Sequence, residues 1–296
     1  MAIRVANGPV SWGVDMPDMP DAPPWEQVFS EIAAAGYAWC ELGPLGYLPD
    51  DDELVGAALA DRGLGVAGSF VFQPIHDPNR HDQVAAVTRR TCDRIRRLGG
   101  SFLVVINMLT DERAATAGRS DLARRLDPAD AAARLAGLRM VTAIAVDHGL
   151  TPVLHPHAGT PIEYEDELVR ILADTAGDGL QLCIDTGHLA YAGIDPVRFL
   201  VEHRDRVPYL HFKDVDPIVH ARVLDERIGF LDAVALGVFC PIGEGVVDFE
   251  RLAAELATGF DGPGTVEQDR AADARTSALE DAKASLAALR RLGLTD

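Results

Sequence analysis

Eight short apolar runs, each separated from the next by an amphipathic stretch, predict an α/β protein of the (β/α)8 or TIM barrel class in a single domain over residues 1–296. Two further observations support this. Several runs are entered through a glycine-bearing turn, and the length suits one barrel of about 250 residues. The runs are Ile3–Pro9, Tyr37–Leu42, Leu64–Phe70, Phe102–Asn107, Thr151–His155, Leu180–Asp185, Val207–Lys213 and Gly262–Glu267. Helical patterns between and after them include Trp25–Ala35, Val84–Leu98, Pro128–Asp147, Glu165–Asp174, Pro196–Glu202, Phe249–Ala257 and Thr276–Leu292. In AAAGYAWCEL, ADRGLGVAG, RRLGGSFLVV and VDHGLTPVLH, a glycine just past the helix end supplies the left-handed cap that returns the chain to the sheet.

Three stretches break this rhythm: Asp15–Pro24, Gln73–His81 and the long piece between Asp214 and Asp248. Each follows a strand, so in a barrel each lies at the C-terminal mouth, where long loops form active-site walls. No linker, internal repeat or low-complexity segment interrupts the chain.

Composition narrows the function. The net charge is −19, from 46 acidic and 27 basic residues, a field that repels a phosphate backbone. The cluster Arg89, Arg90, Arg94, Arg96 and Arg97 reads as a solvated helix face, so no nucleic-acid partner is expected. No apolar run reaches the length of a membrane span, and the first residues carry no secretory pattern. A cytoplasmic location with no membrane partner is the expectation. Cys40, Cys92, Cys183 and Cys240 form no CxxC pair and no disulfide framework, and their thiols are expected to be reduced. There is no GxGxxG after a first strand, no GxxxxGK[ST] and no GxSxG. The glycines of PIGEGVVDF lack an accompanying Lys or Arg, which argues against a phosphate site.

The chemistry lies at the ends of the last four runs, which read VLHPHAGT, LCIDTGH, YLHFKD and TVEQD. In a barrel these ends surround one mouth, so His155 or His157, Asp185, His211 and Glu267 converge. Two imidazoles and two carboxylates suit Mn²⁺, Co²⁺, Fe²⁺ or Zn²⁺, with Mn²⁺ and Co²⁺ placed first; Mg²⁺, which favours harder, all-oxygen sites, stays among the alternatives. His188, one turn beyond Asp185, faces the same mouth as a hydroxyl contact or an acid/base. Lys213 stands where it can neutralise an enolate oxygen or shuttle a proton. Glu41 and Trp12 are pocket-wall candidates, Trp12 serving either as packing or as a sugar platform. Gln73, His76, Asn107, His157, Arg222, Gln268 and Asp269 are candidate hydroxyl binders.

These segments, in this order, resemble the xylose isomerase-like TIM barrels, a superfamily of sugar isomerases, epimerases and dehydratases that also holds endonuclease IV-type repair enzymes. The resemblance spans nearly the whole chain through GPVSWG, AGYAWCELGPLGYLP, HPHAGT, DTGHLAYAG, HFKDV, PIGEGVVDF and VEQD, and within the superfamily it is closest to the inosose dehydratases. It implies a metal held by Asp185, His211 and Glu267, with His155 where the epimerases have Glu. The missing member of the paired glutamates argues against a two-base epimerase and leaves Glu267 as the glutamate that remains. The implied reaction removes a proton next to a carbonyl on a small polyol, sugar or keto-cyclitol such as 2-keto-myo-inositol, with a metal-stabilised enediolate. Loss of water makes the enzyme a lyase, and reprotonation makes it an isomerase or epimerase. An abasic-site endonuclease and a non-catalytic barrel are the remaining alternatives. Homo-oligomers are common in the superfamily.

Overall fold

The computed structural model describes residues 3–19, 21–271, 274 and 276–296. Pro20 of the Asp15–Pro24 stretch lies outside them. All eight expected strands are present: β1 (Val5–Asn7), β2 (Trp39–Glu41), β3 (Gly65–Gln73), β4 (Phe102–Asn107), β5 (Thr151–Leu154), β6 (Gln181–Asp185), β7 (Tyr209–Phe212) and, after a hairpin, β10 (Gly264–Val266). They pair in parallel in the closed order β1-β10-β7-β6-β5-β4-β3-β2. Closure is sealed where β1 meets both β10 (Ala6 opposite Thr265) and β2 (Ala6 opposite Trp39). Most strands are shorter than their apolar runs, but β3 is longer and reaches Gln73, the first residue of the second irregular stretch.

The strands are buried on both faces, which is why they read as nearly continuous apolar runs. Side chains two apart share a face. One set fills the barrel interior: Ala6, Phe70, Val104, Val153, Cys183 and Tyr209 pack against one another there. The other set meets the helices in a larger core that includes Leu103, Val105, Leu182, Ile184, Leu210 and Phe212.

The expected helices form, with ends shifted by at most three residues. Asp52–Asp61 adds one that the sequence pattern marks weakly, because only Val55 and Leu59 of its ten residues are buried. Arg89, Arg90, Arg96 and Arg97 are solvent-facing on His81–Arg97, as expected. Arg94 is not: it is buried and donates to Asp52 at 2.7 Å, bracing neighbouring helices. Much of the acidic surplus has a local use, because Asp51, Asp127, Asp195, Asp216 and Asp248 each cap a helix N-terminus by accepting backbone N–H bonds.

The long Asp214–Asp248 stretch is structured. Asp214–Val215 (β8) pairs antiparallel with Phe239–Cys240 (β9), enclosing the helices Pro217–Asp225 and Phe230–Ala235. The side chain of Asp214 organises the PIGEG turn, accepting N–H bonds from Gly243, Gly245 and Val247 at 2.9–3.0 Å. A Cβ on Gly245 would lie 2.3 Å from Asp214 Oδ1, so only glycine lets the loop close. The glycine amides thus already hold an anion, their own aspartate. No helix among the described residues is long and apolar enough to cross a membrane. All four cysteines are free thiols.

Candidate metal centre and active site

Strand parity and register build the site. Val153, Cys183, Tyr209 and Thr265 point into the barrel, so His155, Asp185, His211 and Glu267, each two residues further on, point inward one layer higher. Asp185 stands directly opposite His211 in the β6–β7 register, and His211 opposite Thr265 in β7–β10. All four upper-layer residues are buried. His155 Nε2 lies 3.1 Å from His211 Nδ1 and 3.3 Å from Asp185 Oδ2, and His211 Nδ1 lies 3.4 Å from Glu267 Oε2. One donor atom each from His155, Asp185, His188 and Glu267 fall within 4.8 Å of one another, and so do donors of Glu41, His211 and Glu267.

Glu41 lies beneath this layer rather than on the wall. Its Oε1 accepts from His211 Nε2 at 2.8 Å, from Tyr209 Oη at 2.7 Å and from Thr265 Oγ1 at 2.9 Å. A carboxylate on the far nitrogen of an imidazole fixes ring orientation and leaves the near nitrogen for a metal. Of the two histidines on the fifth strand end, His155 occupies the ligand layer. His157 sits above it, its ring 3.8 Å from that of His188 and its Nδ1 2.8 Å from the carbonyl of Ala158.

Lys213 crosses the site fully buried. Its Nζ donates to Glu267 Oε1 at 2.8 Å and to Asp269 Oδ1 at 2.7 Å, and lies 2.9 Å from His188 Nε2 and 3.2 Å from Asp185 Oδ2. Gly187 makes room for it, since a Cβ there would lie 2.4 Å from Lys213 Cγ.

Burial alone would neutralise Lys213, but Asp185, Asp269 and Glu267 override it and hold its pKa well above the ordinary lysine value. His211 is likewise raised against burial by Glu267 and Glu41. Burial raises the carboxyl of Glu267, yet Lys213 and His211 bring it well below its ordinary value. Burial keeps His155 and His188 neutral, and pushes His157 down to about 3. Two carboxyls move the other way. Asp269 is raised to about 6 by burial and by Glu267, against the pull of Lys213. Asp15 is raised to about 7 by burial and by the charges of Asp269 and Glu267.

The charge balance tests whether a divalent cation fits. Four buried carboxyls, those of Glu41, Asp185, Glu267 and Asp269, face two cationic groups, Lys213 and His211. The surplus calls for protons or a metal, because uncompensated buried charge is expensive. The buried His155 Nδ1 also has no hydrogen-bond partner, and Asp185 Oδ2 and Asp269 Oδ2 make only ion contacts, the nearest at 3.2–3.4 Å. A mixed nitrogen and oxygen donor set with open acceptor atoms and surplus negative charge fits a divalent metal.

Above the layer a cavity opens at the barrel mouth. Asp15, His157, Glu267 and Asp269 line its polar part. Asp15 comes from the first irregular stretch, which was expected to form a wall, but no sequence signal singled it out. Asp269 stood among the candidate hydroxyl binders.

Four other expected binders lie elsewhere. Trp12 is buried in the outer core and donates to Glu31 Oε2 at 2.6 Å, so it packs and offers no sugar platform. Arg222 is exposed on Pro217–Asp225 and pairs with Glu226 one turn on. Asn107 is fully buried, with its amide taken up by His76 and the carbonyl of Met108. Gln73 ends β3, where parity sends Phe70 and Phe72 into the cavity.

The fold and the site together define a barrel enzyme with a metal-type ligand layer at its C-terminal mouth. The sequence matches the family described as "Xylose isomerase-like TIM barrel" over residues 29–292, and the chain belongs to that family. It is 31% identical over 258 residues to an inosose dehydratase of Geobacillus kaustophilus, covering 86% of this chain and 82% of that protein. It is 29% identical over 282 residues to an inosose dehydratase of Geobacillus thermodenitrificans, covering 90% of each. Among solved structures, the probable 3-DHS dehydratase AsbF of Bacillus anthracis superposes with a TM-score of 0.74 at 14% identity, covering 98% of this chain and 99% of that one. The chain is an enzyme of the dehydratase, isomerase or epimerase kind.

Proposed function

We propose that this enzyme is a divalent-metal-dependent dehydratase of a keto-cyclitol of the 2-keto-myo-inositol type. The observation that carries the reading is the pairing, at one mouth, of the buried and mutually close His155, Asp185, His211 and Glu267 with two carboxyls, Asp15 and Asp269, that line the cavity above them. The inosose dehydratase relatives support the substrate type.

His155, Asp185, His211 and Glu267 would hold the metal, Mn²⁺ or Co²⁺ before Fe²⁺ or Zn²⁺. Bound there, it supplies Lewis acidity to a carbonyl and a neighbouring hydroxyl oxygen. Glu41 orients His211 from below. Lys213 remains charged, fixes Glu267 and Asp269, and offsets negative charge that develops on substrate oxygen. Asp269, held against the cation of Lys213, takes the proton from the carbon next to the carbonyl, and the C–H electrons form the enolate. Asp15, whose carboxyl burial keeps protonated, gives its proton to the β-hydroxyl as the enolate re-forms the carbonyl, the carbon–carbon double bond forms, the C–O bond breaks and water leaves. Two cavity carboxyls raised by burial suit these base and acid roles.

An aldose–ketose isomerase or an epimerase would use the same first proton transfer, and the two carboxyls would then return a proton to carbon. Incubation of 2-keto-myo-inositol with the protein and Mn²⁺ or Co²⁺ decides between them. A product lighter by one water, with new ultraviolet absorbance, is expected. A mass-neutral product carrying solvent deuterium would move the assignment to isomerase or epimerase, and no change with any metal would overturn both.

A further inference from the structure

The cavity is chemically two-sided. Its polar groups come from the segment that follows β10 (Glu267 and Asp269), the loop after β1 (Asp15, beside the apolar Val10) and the loop after β5 (His157). Across the ring, β3 and β4 face β10 and β7. The β3–β4 arc contributes Phe70, Phe72 and Ile106, and the helix Phe230–Ala235 closes over it with Phe230. The Phe72 and Phe230 rings lie 5.5 Å and 5.3 Å from the ring of His157, so the three form one aromatic enclosure. The two amides closest in sequence to this arc do not compensate. Asn107 is engaged by His76 and Met108, and Gln73 lies on the opposite parity from Phe72.

An evenly hydroxylated ring placed here would satisfy its oxygens on the polar side and bury others against aromatic and aliphatic carbon. A buried hydroxyl without a partner weakens binding by roughly 5-fold to 100-fold. Building on the reading that this mouth holds a hydroxy-ketone, we propose that the substrate has one apolar edge. Its oxygens lie contiguously beside Asp15, His157 and the ligand layer, and at least two adjacent carbons against Phe70, Phe72, Ile106 and Phe230 carry only hydrogen or alkyl groups. The preferred substrate class is therefore a deoxy- or alkyl-substituted keto-cyclitol, and a fully hydroxylated ring is a poorer relative of it.

The test compares 2-keto-myo-inositol with 2,3-dihydroxycyclohexan-1-one, whose remaining three carbons are methylenes. In parallel, binding of the unreactive pair myo-inositol and cyclohexane-1,2-diol is followed by calorimetry on the Mn²⁺-loaded protein. Each dihydroxy compound is expected to be favoured at least ten-fold, in kcat/KM and in Kd respectively. Phe72→Thr, at a half-buried position, and Phe230→Ser should shrink both preferences. Equal or tighter binding of myo-inositol, or no binding of either alcohol, would overturn the apolar-edge proposal. Dehydration of neither ketone, with the diol still favoured in binding, would overturn the dehydratase reading while supporting the two-sided cavity.

Discussion

Asp15 carries a cost that reveals its use. Its folded pKa of about 7 stands above the ordinary value of 3.8 because burial and the charges of Asp269 and Glu267 oppose ionisation. The native state therefore holds an extra proton between those two values, and stability falls as pH rises through that window. Asp15→Asn removes the penalty. At pH 8 the variant is expected to be more stable by roughly 1–2 kcal/mol, discounted for partial exposure, while the gain vanishes below pH 4. Activity moves the opposite way. A group that donates its proton to a leaving hydroxyl supports a rate that declines above pH 7, and Asp15→Asn should lower kcat by about 10²–10⁴ and remove that limb. Urea denaturation at both pH values and a kcat profile check the two halves. A variant that keeps wild-type kcat would remove Asp15 from the chemistry.

Lys213 allows a contrasting prediction. It is the buried cation shared by Asp185, Glu267 and Asp269, and Lys213→Met leaves those carboxyls without it. Breaking a buried pair from one side costs about 3–5 kcal/mol. The metal-free variant should lose that much in chemical denaturation. Unchanged stability would mean that protons on the carboxyls already replace the lysine charge.

At the scale of elements, the short helix Thr186–Tyr191 places both Asp185, its N-cap, and His188, whose N–H donates to Asp185 Oδ1 at 2.7 Å. Gly187 sets how near this helix lies to β7. In Gly187→Ala the new methyl meets the stem of Lys213, which is anchored at its far end and cannot swing away. The helix must move. An overpacking loss of about 1–3 kcal/mol is expected. A near-ångström displacement of the N-cap Asp185, one of the residues that would hold the metal, should also cost about 10² in kcat, far more than the folding loss implies. Wild-type kcat in a destabilised Gly187→Ala protein would show that the position of this helix is not critical.

Strand ends were legible in the sequence for the same reason that they form the site. Apolar runs ending in His, Asp, His and Glu violate the usual turn composition, and period-two parity carries them inward together. Parity also explains where the other candidates lie. Gln73 was chosen for its polarity, but its neighbour Phe72 has the inward phase, and Asn107 is satisfied locally by His76 and Met108. Asp15 and the Asp214-centred PIGEG turn depend on loop paths that follow no period, so only the folded chain brings them to their partners. Trp12 reads from the sequence as packing or as a sugar platform, and its indole N–H is spent on Glu31 in the helix Trp25–Ala34.

At the scale of the whole molecule, the net charge of −19 has two distinct parts. Helix caps and exposed ion pairs account for many of the acids and respond weakly to any one cation. The carboxyls at the barrel mouth are different, because their surplus is buried and belongs to the folded state alone. A metal that binds there and not to the unfolded chain stabilises by RT ln(1 + [L]/Kd), about 2.7 kcal/mol at a hundred-fold excess over Kd. For a chain of this length, that corresponds to a melting temperature higher by roughly 4–5 °C. Thermal unfolding with EDTA, then with added Mn²⁺, Co²⁺ or Zn²⁺, should show this rise. Asp185→Asn and Glu267→Gln should abolish it and should lose the one equivalent of metal expected in the purified protein. A rise that persists in both variants would place the stabilising ion among the surface carboxylates. The mouth would then balance its charge with protons on Asp15 and Asp269 and the cations of Lys213 and His211, and catalysis there would have to proceed by acid and base alone.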